Sequence, residues 1–205
     1  MRRTNFTPRD DSIPERVLRL EPRVGWIVGF VALIWTVELV NTLFGHRLTA
    51  LGLYPRTLLG VPGIFFSPFL HTGIGHALAN TIPFIILGSL VLLRSARTFV
   101  ELSLFIIVVG GAAVWLVGRP AYHVGASGLV MGYFGFLLAR GWYERTVLAI
   151  AIAGVVLLLY GGALWGLLPF IPGMSWEMHL FGFLAGVLAA RILPTDATRV
   201  DRSVD

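Results

Sequence analysis

Apolar residues run along this chain in long blocks, and the short stretches between them carry nearly all the charge. About 20 consecutive apolar residues are what a helix needs to cross a bilayer. Six segments of this kind can be marked, at 24–45, 75–93, 99–118, 125–141, 147–170 and 177–193. The fourth and sixth are short for a span and carry polar groups near their starts. Residues 46–70 are also apolar but are broken by Pro55, Pro62, Gly63 and Pro68. That stretch is too interrupted for a spanning helix and too apolar for a solvated loop, so it reads as partly embedded, re-entrant or interfacial. The pattern predicts an all-α polytopic membrane protein: a polar N-terminal arm (1–23), a six-span membrane domain (24–194) and a short C-terminal tail (195–205). The arm shows no signal peptide. Its Ser12-Ile13-Pro14-Glu15 has capping-box spacing ahead of a short surface helix, with a disordered arm as the equal alternative.

Composition narrows the class. Of 205 residues, 56% are hydrophobic and only 13% charged, about half the usual charged fraction of roughly 25%. Mean hydropathy is +0.80. A soluble globular domain and a disordered chain are both excluded. The absence of Cys removes disulfides, thiolate nucleophiles and Cys-based metal sites together. All 16 basic residues are Arg. A pI near 10.4 raises the question of nucleic acid, but these charges sit between apolar runs rather than in one patch. They read as topology signals, and no nucleic-acid partner is expected. With the N-terminus in the cytoplasm, thirteen arginines fall inside and only Arg47, Arg56 and Arg119 outside. The bias supports six spans with both termini cytoplasmic.

In so apolar a chain the intramembrane polar groups carry the information. His46, His71, His76, His123 and His179 all map to the outer half, away from the arginine-rich side. His76 and Asn80 share one face of the second span at i, i+4. Gly125-Ala126-Ser127-Gly128 opens the fourth span, where unpaired backbone N–H groups and the helix dipole favour negative charge. Gly128, Gly132 and Gly135 then give that helix a smooth face, and His179, Gly182 and Gly186 share a face of the sixth span. Close packing of two such faces is expected to bring Ser127 and His179 within hydrogen-bond reach. Chemically this is a nucleophile, a base and two donors for an oxyanion. No carboxylate completes a triad, since Glu177 points away from His179 on the helix, and a Ser–His dyad is the economical reading. Each residue alone fits packing, and Glu38 and Asn41 in the first span are expected to be satisfied within the bundle. Phe65, Phe66 and Phe69 read as interfacial anchors.

The pattern His71-x4-His76-x3-Asn80, then Gly125-Ala126-Ser127-Gly128, then His179-x2-Gly182-x3-Gly186, resembles the rhomboid family of intramembrane serine proteases. Order, spacing and the span carrying each motif agree over about residues 24–194. The resemblance implies a six-transmembrane-helix bundle with a half-submerged loop between the first two spans. It further implies Ser127 as nucleophile, His179 as general base, His76 and Asn80 as oxyanion donors and His71 as a support of the first loop. Two positions depart from the family pattern. Pro62 and Gly63 stand where many members carry Trp-Arg, and Met131 where many carry a Tyr that stacks on the catalytic His.

The expected function is an intramembrane serine endopeptidase that cleaves transmembrane proteins near the outer membrane face. It needs no cofactor or metal and sits in a bacterial plasma membrane, with substrates and lipid as its partners. The sequence leaves the oligomeric state open. A non-catalytic binder of membrane helices on the same scaffold is one alternative. A membrane subunit with haem or metal ligated by paired His76 and His179 is another.

Overall fold

A computed structural model describes residues 21–194. The proposed capping box at Ser12, most of the arm and the tail beyond residue 194 lie outside the described residues. The chain is all-helical, with no strand among the described residues. The long helices are α1 (Glu21–Leu43), α2 (Ile74–Arg94), α3 (Ala96–Val117), α4 (Ser127–Glu144), α5 (Val147–Tyr160) and α6 (Trp176–Ile192). A 3₁₀ stretch, Gly161–Leu167, extends α5. Caps explain several starts. The Ser95, Thr146 and Ser175 hydroxyls accept from the amides of Thr98, Ala149 and Met178, each satisfying one orphan donor of a first turn. Midway along α3 the hydrogen-bonding widens to a π segment, Ile106–Gly110, before α-geometry resumes.

Four stretches are long and apolar enough to cross a membrane: Val24–Leu43, Ile74–Arg94, Ala96–Val117 and Val147–Leu167. Helices α4 and α6 fall short of that measure, so the structure supports four membrane-capable helices where the sequence pattern predicts six spans. The difference has a physical reason. Helix α4 is the hub of the fold, packed most heavily on α6 and then on α5 and α2. Gly128 through Leu137 of α4 are all buried, so protein rather than lipid surrounds it and it needs less apolar length. The main core gathers on this helix, where Tyr133 and Phe134 meet Phe84, Phe99 and Ile106. The buried Tyr133 hydroxyl pairs with Ser103 Oγ at 2.7 Å. At one end of the bundle Arg140 reaches the Leu193 carbonyl (2.8 Å) and Glu144 (3.3 Å), which also pairs with Arg94.

Residues 44–73 wind through short 3₁₀ and α turns at the opposite end. They are pinned to the end of α3 and to the chain beyond it. Leu53 and His123 exchange backbone hydrogen bonds at 3.1 and 2.8 Å, and Arg56 Nη1 donates to the Gly118 carbonyl at 2.8 Å. Trp115 Nε1 donates to the Thr57 carbonyl at 2.9 Å. Gly63 backs directly onto the Gly52 backbone, which leaves no room for a larger residue there. Leu58 and Leu59 stand 86% and 95% exposed. Phe65 and Phe66 are half exposed, while Phe69 packs on Phe30 of α1.

Candidate active site

The polar residues singled out from the sequence meet at that same end. Three helix starts and one helix finish converge there, because α1 ends where α2, α4 and α6 begin. Asn41, fully buried near the end of α1, donates through Nδ2 to the His71 carbonyl (2.9 Å) and accepts the Leu48 amide (3.0 Å). His71 in turn receives the Ala126 amide on Nε2 at 3.4 Å and sits edge-on to His76, ring centroids 5.0 Å apart. Burial, reinforced by the neighbouring His76 ring, pushes the His71 pKa down to about 4.

Gly125 turns the chain into α4 at φ +113°, a conformation in which a side chain is strained. A Cβ there would lie 2.8 Å from His76 Nε2 and 3.8 Å from Asn80 Nδ2. His76 and Asn80 therefore face the backbone immediately before Ser127. Asn80 Nδ2 also donates to the His76 carbonyl one turn back, at 2.9 Å. Ser127 is half-buried in the first turn of α4, where its own N–H and those of Gly128 and Leu129 have no helical acceptor.

Helices α4 and α6 meet through backbone. A Cβ on Gly182 would come 2.2 Å from the Gly128 carbonyl oxygen, and one on Gly186 would come 1.9 Å from that of Gly132. The contact sets the first turns of the two helices side by side, Ser127 next to Gly128 and His179 one turn before Gly182. No hydrogen bond joins Ser127 to His179 among the described residues. The His179 ring is held instead from its other side, with Nδ1 3.1 Å from the Gly166 carbonyl oxygen. Met131 is buried in the main core.

Two groups behave differently from their expectation or escaped it. Glu38 is buried, yet among the described residues neither carboxylate oxygen has a hydrogen-bond partner, and the His46 ring comes no nearer than 3.9 Å through Nδ1. The bundle therefore satisfies Asn41 but not Glu38, because Asn41 lies a turn nearer the loop amides and carbonyls. The second is a tie between the α3–α4 connector and the head of α6. His123 pairs through Nδ1 with Ser175 Oγ and through Nε2 with the Arg119 carbonyl. Burial lowers the His123 pKa, a shift that its bond to the Arg119 carbonyl opposes. Arg119 Nε lies 3.5 Å from buried Glu177 Oε1, so that carboxylate is turned from His179. No spacing in the sequence links His123 to Ser175, which lies 52 residues on. Among the described residues no three His, Asp or Glu side chains come together as a metal site.

Comparison with known proteins gives the class of this arrangement. The rhomboid-domain family model matches residues 60–195, a stretch that takes in the turns around Ser127 and His179, and the chain belongs to the rhomboid family. An uncharacterized protein of Mycobacterium tuberculosis is 41% identical over 186 residues, covering 83% of this chain and 78% of the relative. An uncharacterized protein of Mycobacterium leprae is 36% identical over 203 residues, covering 89% and 80%. RHOMBOID-like protein 1 of Arabidopsis thaliana is 30% identical over 128 residues, covering 61% of this chain and 32% of that one. Family and apolar helices together mark an integral membrane protein.

Proposed function

We propose that this protein is an intramembrane serine endopeptidase of a bacterial plasma membrane, cleaving transmembrane proteins near the outer face with Ser127 and His179. The observation that carries the reading is the backbone contact between Gly128 and Gly182, which supports a nucleophile and a base on adjoining helix starts. A substrate helix must unwind locally, because its hydrogen-bonded carbonyls are closed to attack. Ser127 Oγ attacks the exposed carbonyl carbon as His179 Nε2 takes the hydroxyl proton. The Ser127 to His179 bond, unmade in the free protein, closes when substrate binds. The negative oxygen of the tetrahedral intermediate receives hydrogen bonds from His76 Nε2, Asn80 Nδ2 and the Ser127 amide, all near Gly125. His179 then gives its proton to the leaving amine. Water, activated by the same imidazole, hydrolyses the acyl-enzyme and restores Ser127.

Six spans with both termini cytoplasmic, and a loop 46–70 that dips into the outer leaflet, complete the reading. The exposed Leu58 and Leu59 support the loop assignment. The test is proteolysis of a membrane-anchored substrate in liposomes. Wild type should cleave in the presence of chelators, and Ser127→Ala and His179→Ala should each lose at least about 10³-fold in kcat. A serine-directed phosphonate should label wild type and not Ser127→Ala. Equal cleavage by all three proteins would assign the activity elsewhere.

A further inference from the structure

The imidazoles at the heads of α2 and α6 are held by backbone groups of opposite polarity. His179 Nδ1 lies 3.1 Å from the Gly166 carbonyl oxygen. A carbonyl oxygen only accepts, so the hydrogen of this bond belongs to Nδ1, and the neutral ring keeps its lone pair on Nε2. His76 is the reverse case. Its Nδ1 faces the Thr72 amide at 3.5 Å, and an amide N–H only donates, so this nitrogen bears no hydrogen. The Thr72 hydroxyl, 3.2 Å from the same atom, can donate to it as well. The hydrogen of neutral His76 is then on Nε2, the atom that a Cβ at Gly125 would meet first, at 2.8 Å.

We infer that backbone groups impose opposite tautomers on the two rings. The Gly166 carbonyl makes His179 an Nε2 acceptor, and the Thr72 amide makes His76 an Nε2–H donor. The catalytic meaning of this rests on the protease reading above; the tautomers themselves do not. A general base presents a lone pair and an oxyanion donor presents a hydrogen, so either ring in the other tautomer is useless for its task. In a Ser–His–Asp set a carboxylate fixes the ring of the base. Here Glu177 is spent on Arg119, and the Gly166 carbonyl takes the orienting place. The 3₁₀ stretch that carries it fits closely. A Cβ at Gly166 would sit 2.9 Å from His179 Nδ1 and 3.4 Å from Met174 Sδ, whereas a Cβ at Gly162, in the same stretch, meets open space. Gly166 is thus a positioning residue, acting through its carbonyl and through the lack of a side chain.

The experiment is nitrogen NMR of the full-length protein in lipid with ring-labelled histidine, signals assigned by replacing each His singly. Wild type should show His179 protonated at Nδ1 and His76 protonated at Nε2 near pH 8. Gly166→Ala should displace the His179 ring, losing its Nδ1–H signature and about 10²-fold in kcat with little change in KM. Gly162→Ala should keep both signature and rate. Thr72→Val, which removes the hydroxyl but not the amide, should leave the His76 tautomer in place. An Nε2–H signal from His179 or an Nδ1–H signal from His76 in wild type would overturn the inference. So would a Gly166→Ala protein with unchanged tautomer and rate. Opposite tautomers in a wild type that cleaves nothing would instead uphold the inference and remove the protease reading.

Discussion

Asn41 and His71 show how a buried polar side chain can be committed to one protonation state. Asn41 holds the His71 backbone, and His71 Nε2 accepts the amide that precedes Ser127. Only a neutral ring can accept there. The His71 pKa, held at about 4 by burial and then by His76, lies below the ordinary value near 6.5 of an unfolded chain. The unfolded state therefore binds more protons between these values, and folding stability is complete above about pH 6.5 and drains away as pH falls towards 4. The loss has a ceiling of about 1.4 kcal/mol per pH unit, roughly 3 kcal/mol over the window. Thermal unfolding in detergent across that window should show the decline in wild type and a shallower one in His71→Gln. Identical slopes would mean that His71 is not the group that titrates. The ring's importance was legible in the His71-x4-His76 spacing. Its Ala126 partner, 55 residues away, was not, because no local period links them. Glu38 was misjudged for the same reason, since whether a partner reaches a buried carboxylate depends on loop backbone far along the chain.

Helices α4 and α6 are joined by the absence of side chains. Alanine ordinarily favours a helix over glycine by about 1 kcal/mol. At Gly186 a methyl group would have to occupy a point 1.9 Å from the Gly132 carbonyl oxygen, so the helices must part. Gly186→Ala is expected to lose about 2–3 kcal/mol despite the better propensity, read as a lower Tm. Gly154→Ala on α5, where a Cβ meets nothing within 4 Å, should hold or raise Tm. A Gly186→Ala protein as stable as wild type would show that the seam can open without cost. Spacing at i, i+4 made this seam readable, because four residues return a helix to the same face. The Gly166 carbonyl and the His123–Ser175 tie were hidden, being contacts between irregular segments with no periodicity to betray them. The six long helices also appeared in the apolar pattern, but the pattern cannot say which of them the others enclose. Helix α4 has that shelter along Gly128–Leu137, and it falls below the membrane measure together with the shorter α6.

At the scale of the molecule the two ends differ in chemistry. One end gathers imidazoles, helix N-termini and the pinned loop; the other gathers Arg94, Arg140 and Glu144. The proposed topology puts the second end in the cytoplasm. Reporter fusions after residue 95, after residue 145 and at the C-terminus should all report the cytoplasm, and a fusion after residue 120 the outer side. A C-terminal reporter outside would rule out six spans.

The π segment of α3 adds a constraint of another kind. Beyond Ile106–Gly110 the helix presents Gly111 to Ile64, Val114 to the core and Trp115 to the Thr57 carbonyl. Each residue advances an α-helix by about 100°. The widened turn holds one residue more than an α-turn, so removing a residue there would let the helix close into regular α-form with all three contacts still in phase. Removing one from Ala96–Phe105 would instead swing them about 100° off target. The segment is thus a phase correction in the chain's count. A deletion in Ala96–Phe105 would thus unfasten the loop at the far end of α3 without touching a residue that the loop contacts, and a second deletion within Ile106–Gly110 would not add to the damage in proportion.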